Sequence, residues 1–206
     1  MPKLRDSVIV RETSAGGDAR ATAGQETGAT SQSVSESRGL GTRLYFEPLG
    51  EQHDRAAFSC VNEAMDEYFK GDPIRQDVSR RVTNAFVLTP DGRFVAGFYT
   101  LSPISILSVD LPASLQKKLP KRPIGATLIG RMERDLSLRG KGVGEMLLMD
   151  ALHKAWQASK LVSSWAVVVD SKEGARDFYM KNEFTPFATQ PDRLFLLMKK
   201  IDLMFE

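Results

Sequence analysis

The sequence predicts a single α/β (α+β) domain, one mixed central sheet flanked by helices. Three observations lead there. The run Ala166-Val167-Val168-Val169 is continuously apolar, the pattern of a strand buried on both faces. A long amphipathic stretch from Val143 to Lys160 precedes it and follows another strand at about Ala126 to Asp135, which makes a strand–helix–strand crossover near the C-terminus. Two short strands, Ala85 to Thr89 and Phe94 to Leu101, flank Pro90-Asp91-Gly92-Arg93, residues that favour a hairpin turn.

Along the chain, each element follows from composition and spacing. Up to Arg43 there is no aromatic residue, and from Arg11 onward the only large apolar residues are Val34 and Leu40. Ser, Thr, Gly and Ala dominate there, so residues 1–43 bury too little surface to offset chain entropy and are expected to be a disordered, low-complexity tail. Composition changes at Leu44-Tyr45-Phe46, which puts the folded domain at 44–206. Phe58, Val61, Met65 and Tyr68 recur at helical spacing, giving a helix that Asp54 caps and Gly71 stops. A basic, polar stretch follows and leads into the hairpin. Leu111 to Leu119 reads as a short amphipathic helix ending at Pro120. After the crossover come a helix from Glu173 to Lys181 and a final strand at about Leu194 to Met198.

Composition excludes several function classes. Of 206 residues 42% are hydrophobic and 26% charged, enough for a sizeable core. Lys plus Arg number 28 against 26 acidic residues, too balanced for a polycationic binder. One Cys rules out a disulfide framework and a Cys-built zinc site, and with two His no metal is expected. No apolar run approaches the ~20 residues needed to cross a bilayer, and no secretion segment opens the chain. No membrane contact is expected, and the cytoplasm is the expected compartment.

The chemistry concentrates at Arg139-Gly140-Lys141-Gly142-Val143-Gly144, between a strand and the long helix. Glycines let the backbone approach a ligand closely and adopt positive φ. A helix start offers unpaired N–H groups and the positive end of its dipole to the same place. Arg139 and Lys141 complete a cradle for a diphosphate. In another setting such a loop merely turns the chain, but here it leaves a strand and opens a helix. The Walker spacing is absent, and the glycines do not follow the Rossmann spacing.

The loop resembles the Arg-x-x-Gly-x-Gly diphosphate loop of the GNAT superfamily of N-acetyltransferases. The likeness covers essentially residues 44 to 200 and is closest to the acetyltransferase toxins of bacterial type II toxin–antitoxin systems. His53-Asp54, Phe58-Ser59-Cys60 and Met65-Asp66-Glu67-Tyr68 resemble their opening. Gly97-Phe98-Tyr99-Thr100-Leu101-Ser102 and Lys117-Lys118-Leu119-Pro120 resemble two further motifs. Ile129-Gly130-Arg131-Met132-Glu133-Arg134-Asp135 is similar to their cofactor strand, and Val168-Val169-Asp170 with Ala175-Arg176-Asp177-Phe178-Tyr179 and Phe184 to their closing motif. Three features depart from the pattern: Glu133-Arg134 stand where Ala-Val is usual, Glu183 replaces a Gly, and the tail has no counterpart.

The resemblance implies a GNAT fold with acetyl-CoA bound at the splayed central strands, as co-substrate for acetyl transfer to a primary amine. It gives the backbone of Met132, Glu133 and Arg134 the alignment of the pantetheine arm and the polarisation of the thioester. Arg139, Gly140, Lys141, Gly142, Val143 and Gly144 take the diphosphate. Tyr179 corresponds to the tyrosine that protonates the leaving sulfur, and a reference pKa near ~10 keeps it protonated at pH 7. On periodicity alone, Phe178-Tyr179 reads as a packing pair, and it is the motif match that favours the catalytic role. Glu133 stays open between a general base and a carboxylate paired with Arg131 or Arg134. His53 reads as structural, and Cys60 as a small buried hydrophobe.

The toxin-like resemblance further implies the α-amine of aminoacyl-tRNA as acceptor, whose acetylation blocks translation. It also implies a cognate antitoxin of ribbon-helix-helix type and a homodimer. Two basic clusters, Arg75, Arg80 and Arg81, and Lys117, Lys118, Lys121 and Arg122, are candidate RNA contacts or solvated faces. The alternative is an N-acetyltransferase of a protein or small-molecule amine with Glu133 as general base.

Overall fold

The computed structural model describes residues 43–172 and 174–206, so the expected tail lies outside the described residues apart from Arg43. Seven strands form one sheet among these residues: β1 (Tyr45–Pro48), β2 (Asn84–Thr89), β3 (Gly97–Ile106), β4 (Ile124–Arg134), β5 (Ala166–Asp170), β6 (Thr185–Pro186) and β7 (Arg193–Leu197). Their order is β1-β2-β3-β4-β5-β7-β6, and only β4 and β5 run parallel. Six helices cover the sheet: α1 (Glu63–Lys70), α2 (Asp72–Ser79), α3 (Ala113–Gln116), α4 (Val143–Ser159), α5 (Arg176–Lys181) and α6 (Met198–Phe205).

Pleating sorts the side chains of each strand into two layers. On one face Tyr99, Val167 and Val169 join Leu147, Leu148, Ala151 and Leu152 of α4 and Ile201 of α6 in an apolar cluster. On the other face Val87 and Phe98 pack under Phe58, Phe69 and Ile74, the layer of α1 and α2. The lower half of that face is filled by Leu111, Val168, Phe187 and Phe195. The Val167-Val168-Val169 run therefore serves both layers at once, which is why it is continuously apolar.

The expected helix from Asp54 begins later. Asn62 caps α1, accepting the Met65 amide at 3.1 Å, while Asp54 accepts the Ala57 amide in a turn. Residues 54–62 form a strap instead. Phe58 and Cys60 are buried by it and Val61 faces solvent, so the helix-like spacing belongs to two different structures. Arg55 of the strap donates to the carbonyls of Phe69, Lys70 and Gly71, closing the end of α1. The basic stretch after Gly71 contains α2, with Pro73 in its first turn. α3 is a single turn, α5 starts at Arg176, with Glu173 outside the described residues, and α6 follows β7 unannounced.

Candidate active site at the splay of the central strands

β4 is the axis of the site. It pairs with β5 from Thr127 opposite Val167 to Ile129 opposite Val169, and the parallel pairing stops there. Its last residues pair only with β3, Met132 opposite Tyr99 through Arg134 opposite Gly97. The backbone from Gly130 onward is thus left open on the β5 side among the described residues. A bulge between Tyr99 and Leu101 sits opposite this opening, with the Thr100 hydroxyl accepting the Arg131 amide at 3.0 Å. Bulges of this kind re-aim the side chains beside them. Arg131 and Glu133 face the α1–α2 layer, and Met132 packs into the α4 layer.

At the end of β4 the Asp135 carboxylate is buried and accepts the amides of Ser137 at 3.0 Å and Ser59 at 3.1 Å, pinning the following loop to the strap. Gly140 and Gly142 have φ of 78° and 75°, a conformation side chains rarely take, and nothing lies within 4 Å of where a Cβ would project. Gly142 caps α4 without a side-chain hydrogen bond. The first amides of a 17-residue helix therefore open onto free space flanked by the exposed Arg139 and Lys141. Val143 is buried and anchors the helix, while Gly144 lies beside Phe178. A diphosphate fits this donor set.

Tyr179 of α5 is buried, edge-on to Phe178 and Phe184 with ring centroids 5.1 and 5.5 Å away. Its hydroxyl has no hydrogen-bond partner among the described residues. Burial, and then the charge of Glu133, push the phenol above its ordinary value. Glu133 is itself half-buried, and desolvation raises its carboxyl although Lys172 and Arg134 pull it back. Acid and phenol are thus close enough for the charge of one to be felt by the other. Glu133 makes no ion pair with Arg131 or Arg134: the Arg131 guanidinium lies over the Tyr68 ring, 3.7 Å from its centroid. Burial pushes the Cys60 thiol up to about 11, which suits a packed side chain and not a nucleophile.

No family model matches the chain. The tRNA-acetylating toxin of Mycobacterium tuberculosis is 31% identical over 152 residues, 73% of this chain and 90% of that protein. The chain belongs to the family of tRNA-acetylating toxins. Among solved structures, AtaT complexed with acetyl-methionyl-tRNAfMet matches with a TM-score of 0.73 at 30% identity, covering 79% of this chain and 99% of that one. A mutant AtaT bound to the C-terminus of the antitoxin AtaR and acetyl-CoA matches with a TM-score of 0.66 at 27% identity, over 79% and 97% of the two chains. The GNAT fold expected from the sequence is the fold observed.

For a tRNA-acetylating toxin the two basic clusters stand in different places. Arg75, Arg80 and Arg81 are exposed on or just after α2, on the same face of the sheet as Glu133. Lys117, Lys118, Lys121 and Arg122 are exposed between α3 and β4, at the end of the sheet away from the glycine loop. From Glu133 back to Ile124 is about 30 Å of extended strand. Sequence reasoning missed three residues of the cleft. Asp66 and Tyr68 were visible only inside the family-like Met-Asp-Glu-Tyr motif, and Lys172 carried no local signal. No helix among the described residues is long and apolar enough to cross a membrane.

Proposed function

We propose that this chain is an acetyl-CoA-dependent N-acetyltransferase that acetylates the α-amine of aminoacyl-tRNA and so blocks translation. The observation that carries the reading is the pairing of a diphosphate cradle at Gly140 and Gly142 with a buried, unpartnered phenol at the splay of β4 and β5. Family membership supports the substrate class.

In this reading Arg139 through Gly144 hold the diphosphate of acetyl-CoA. The open backbone from Met132 to Arg134 aligns the pantetheine arm and stabilises the developing oxyanion. An α-amine has a pKa near ~8, so a useful fraction is already neutral at pH 7. Glu133 takes the proton the amine loses on attack, a task its raised pKa suits. Tyr179 gives its proton to the departing sulfur. Its displacement above the ordinary phenol value keeps that proton in place across the physiological range. Arg75, Arg80 and Arg81 meet the phosphates of the acceptor stem, and Lys117, Lys118, Lys121 and Arg122 lie farther out. We assign the activity to the domain from residue 44 onward. A ribbon-helix-helix antitoxin and a homodimer, acting in the cytoplasm, complete the proposal.

The test is incubation with labelled acetyl-CoA and a mixed pool of charged tRNAs, followed by mass spectrometry of the released amino acids. N-acetylated amino acids, lost when Tyr179→Phe replaces the wild type, are expected. Label appearing on protein or small amines and never on RNA overturns the reading.

A further inference from the structure

We infer that Arg131, laid across the Tyr68 ring, is a phosphate site of the acceptor cleft that grips a phosphodiester in the single-stranded 3′ end of the RNA. The inference rests on the proposed acceptor and names the part of it that is bound.

Among the described residues most half-buried cations have anionic or carbonyl partners, although the Arg134 side chain, beside Glu133, makes no hydrogen bond or ion pair. Lys154 meets Asp150 at 2.7 Å, Arg193 meets Asp170 at 3.3 Å, and Arg55 donates to three carbonyls. Arg131 has none: among the described residues only its backbone amide is hydrogen-bonded. Two carboxylates of the α1–α2 layer are already engaged. Asp77 accepts the Tyr68 hydroxyl at 2.9 Å, and Asp66 accepts from Ser59, the Cys60 amide and Lys70. Leaving a partly desolvated guanidinium without a counter-charge is costly unless a ligand supplies it.

The side chain is also pre-shaped for one ligand chemistry. The Tyr68 ring is buried and its hydroxyl is tied to Asp77, so the stacking surface is fixed. A guanidinium held by one flat face at 3.7 Å keeps its N–H edge free for a bidentate grip on phosphate. Arg131 stands two residues before Glu133 on the same face, about 6.6 Å along the strand. An aminoacyl ester separates its amine from the nearest phosphate by one nucleoside. An amine at Glu133 therefore leaves that phosphate on the Arg131 side, with the exposed Arg80 and Arg81 beyond it for the next ones.

The test compares two acceptors, an aminoacyl-tRNA and the matching 3′-aminoacyl-adenosine, which has no phosphate. With Arg131→Gln, KM for aminoacyl-tRNA is expected to rise about tenfold or more with kcat within twofold, while kinetics on aminoacyl-adenosine stay within twofold. The dependence of log KM on log salt should become shallower by about 0.7, one phosphate of a single strand. Arg131→Lys should recover part of the loss, and it carries the test if Arg131→Gln fails to fold. Equal losses on both acceptors, or an unchanged KM and salt slope on aminoacyl-tRNA, overturn the inference. If the wild type acetylates neither acceptor yet turns over with another amine, the proposed function itself fails and this site falls with it.

Discussion

The layer under α4 and the splay of β4 and β5 treat buried polar groups in opposite ways. Under α4 the Tyr99 hydroxyl donates to Asp150, whose two oxygens accept Lys154 at 2.7 Å, and Lys154 lies over the rings of Phe46 and Phe86 at 5.5 and 5.0 Å. Every member of that network is satisfied within the chain. At the splay, Glu133 and the Arg131 guanidinium on the α1–α2 side, and the Tyr179 hydroxyl at the edge of the α4 cluster, lack such partners among the described residues. A closed network fixes a fold, whereas groups left open mark where a ligand completes the set. Substitutions in the closed network should therefore unfold the protein, and those at the splay should disable it.

The largest effect is expected from Tyr179→Phe, a loss of about 10²–10⁴ in kcat, the usual worth of a general acid. Because the hydroxyl has no partner, the urea midpoint should hardly move; a fall below tenfold would remove the phenol from the chemistry. Asp150→Ala is the counterpart in the closed network. It leaves the Tyr99 hydroxyl and the Lys154 ammonium stranded and should cost about 2–4 kcal/mol by denaturant titration, with kcat per folded molecule intact. Gly142→Ala forces a side chain into the left-handed region at a cost of about 1 kcal/mol and turns the helix amides away. KM for acetyl-CoA should rise about tenfold while KM for the amine stays put.

Smaller effects sharpen the contrast. A carboxyl raised by burial must ionise before it can take a proton, so kcat/KM should fall as pH drops through the displaced pKa of Glu133. Above that the rate climbs through the amine's value near ~8 and should not bend down below about pH 10, because the phenol is pushed upward. Glu133→Gln should erase the lower inflection alone. Replacing Lys117 and Lys118 by Ala should change KM for aminoacyl-tRNA less than about threefold, since exposed charges far from the chemistry add little. A larger change would mean that the RNA spans the length of β4.

Much of the fold could be read from the chain, in uneven measure. The crossover around α4 and the hairpin before β3 came from periodicity and turn residues. The strap at 54–62 did not, because Phe58 and Cys60 satisfy the same core as Met65 and Tyr68 without sharing their helix. α6 also went unread, since its buried Met198 and Ile201 are too few to announce a face. The site shows the same division. The glycine turn was legible because its requirements are met within a few consecutive residues. Lys172 and the stacked Arg131–Tyr68 pair were not, because nothing near them in sequence requires the partner.

Local physical chemistry alone therefore determined the anion cradle: left-handed glycines, a bare helix start and two flanking cations are properties of one short segment. Motif likeness singled out Tyr179 and left Glu133 open. Only the tertiary structure decided which groups share the cleft and which basic cluster stands beside it. The reason is that the end of the β4–β5 pairing, the bulge opposite it and the docking of α1 onto β4 arise from contacts between distant parts of the chain, and these set the direction in which each side chain points.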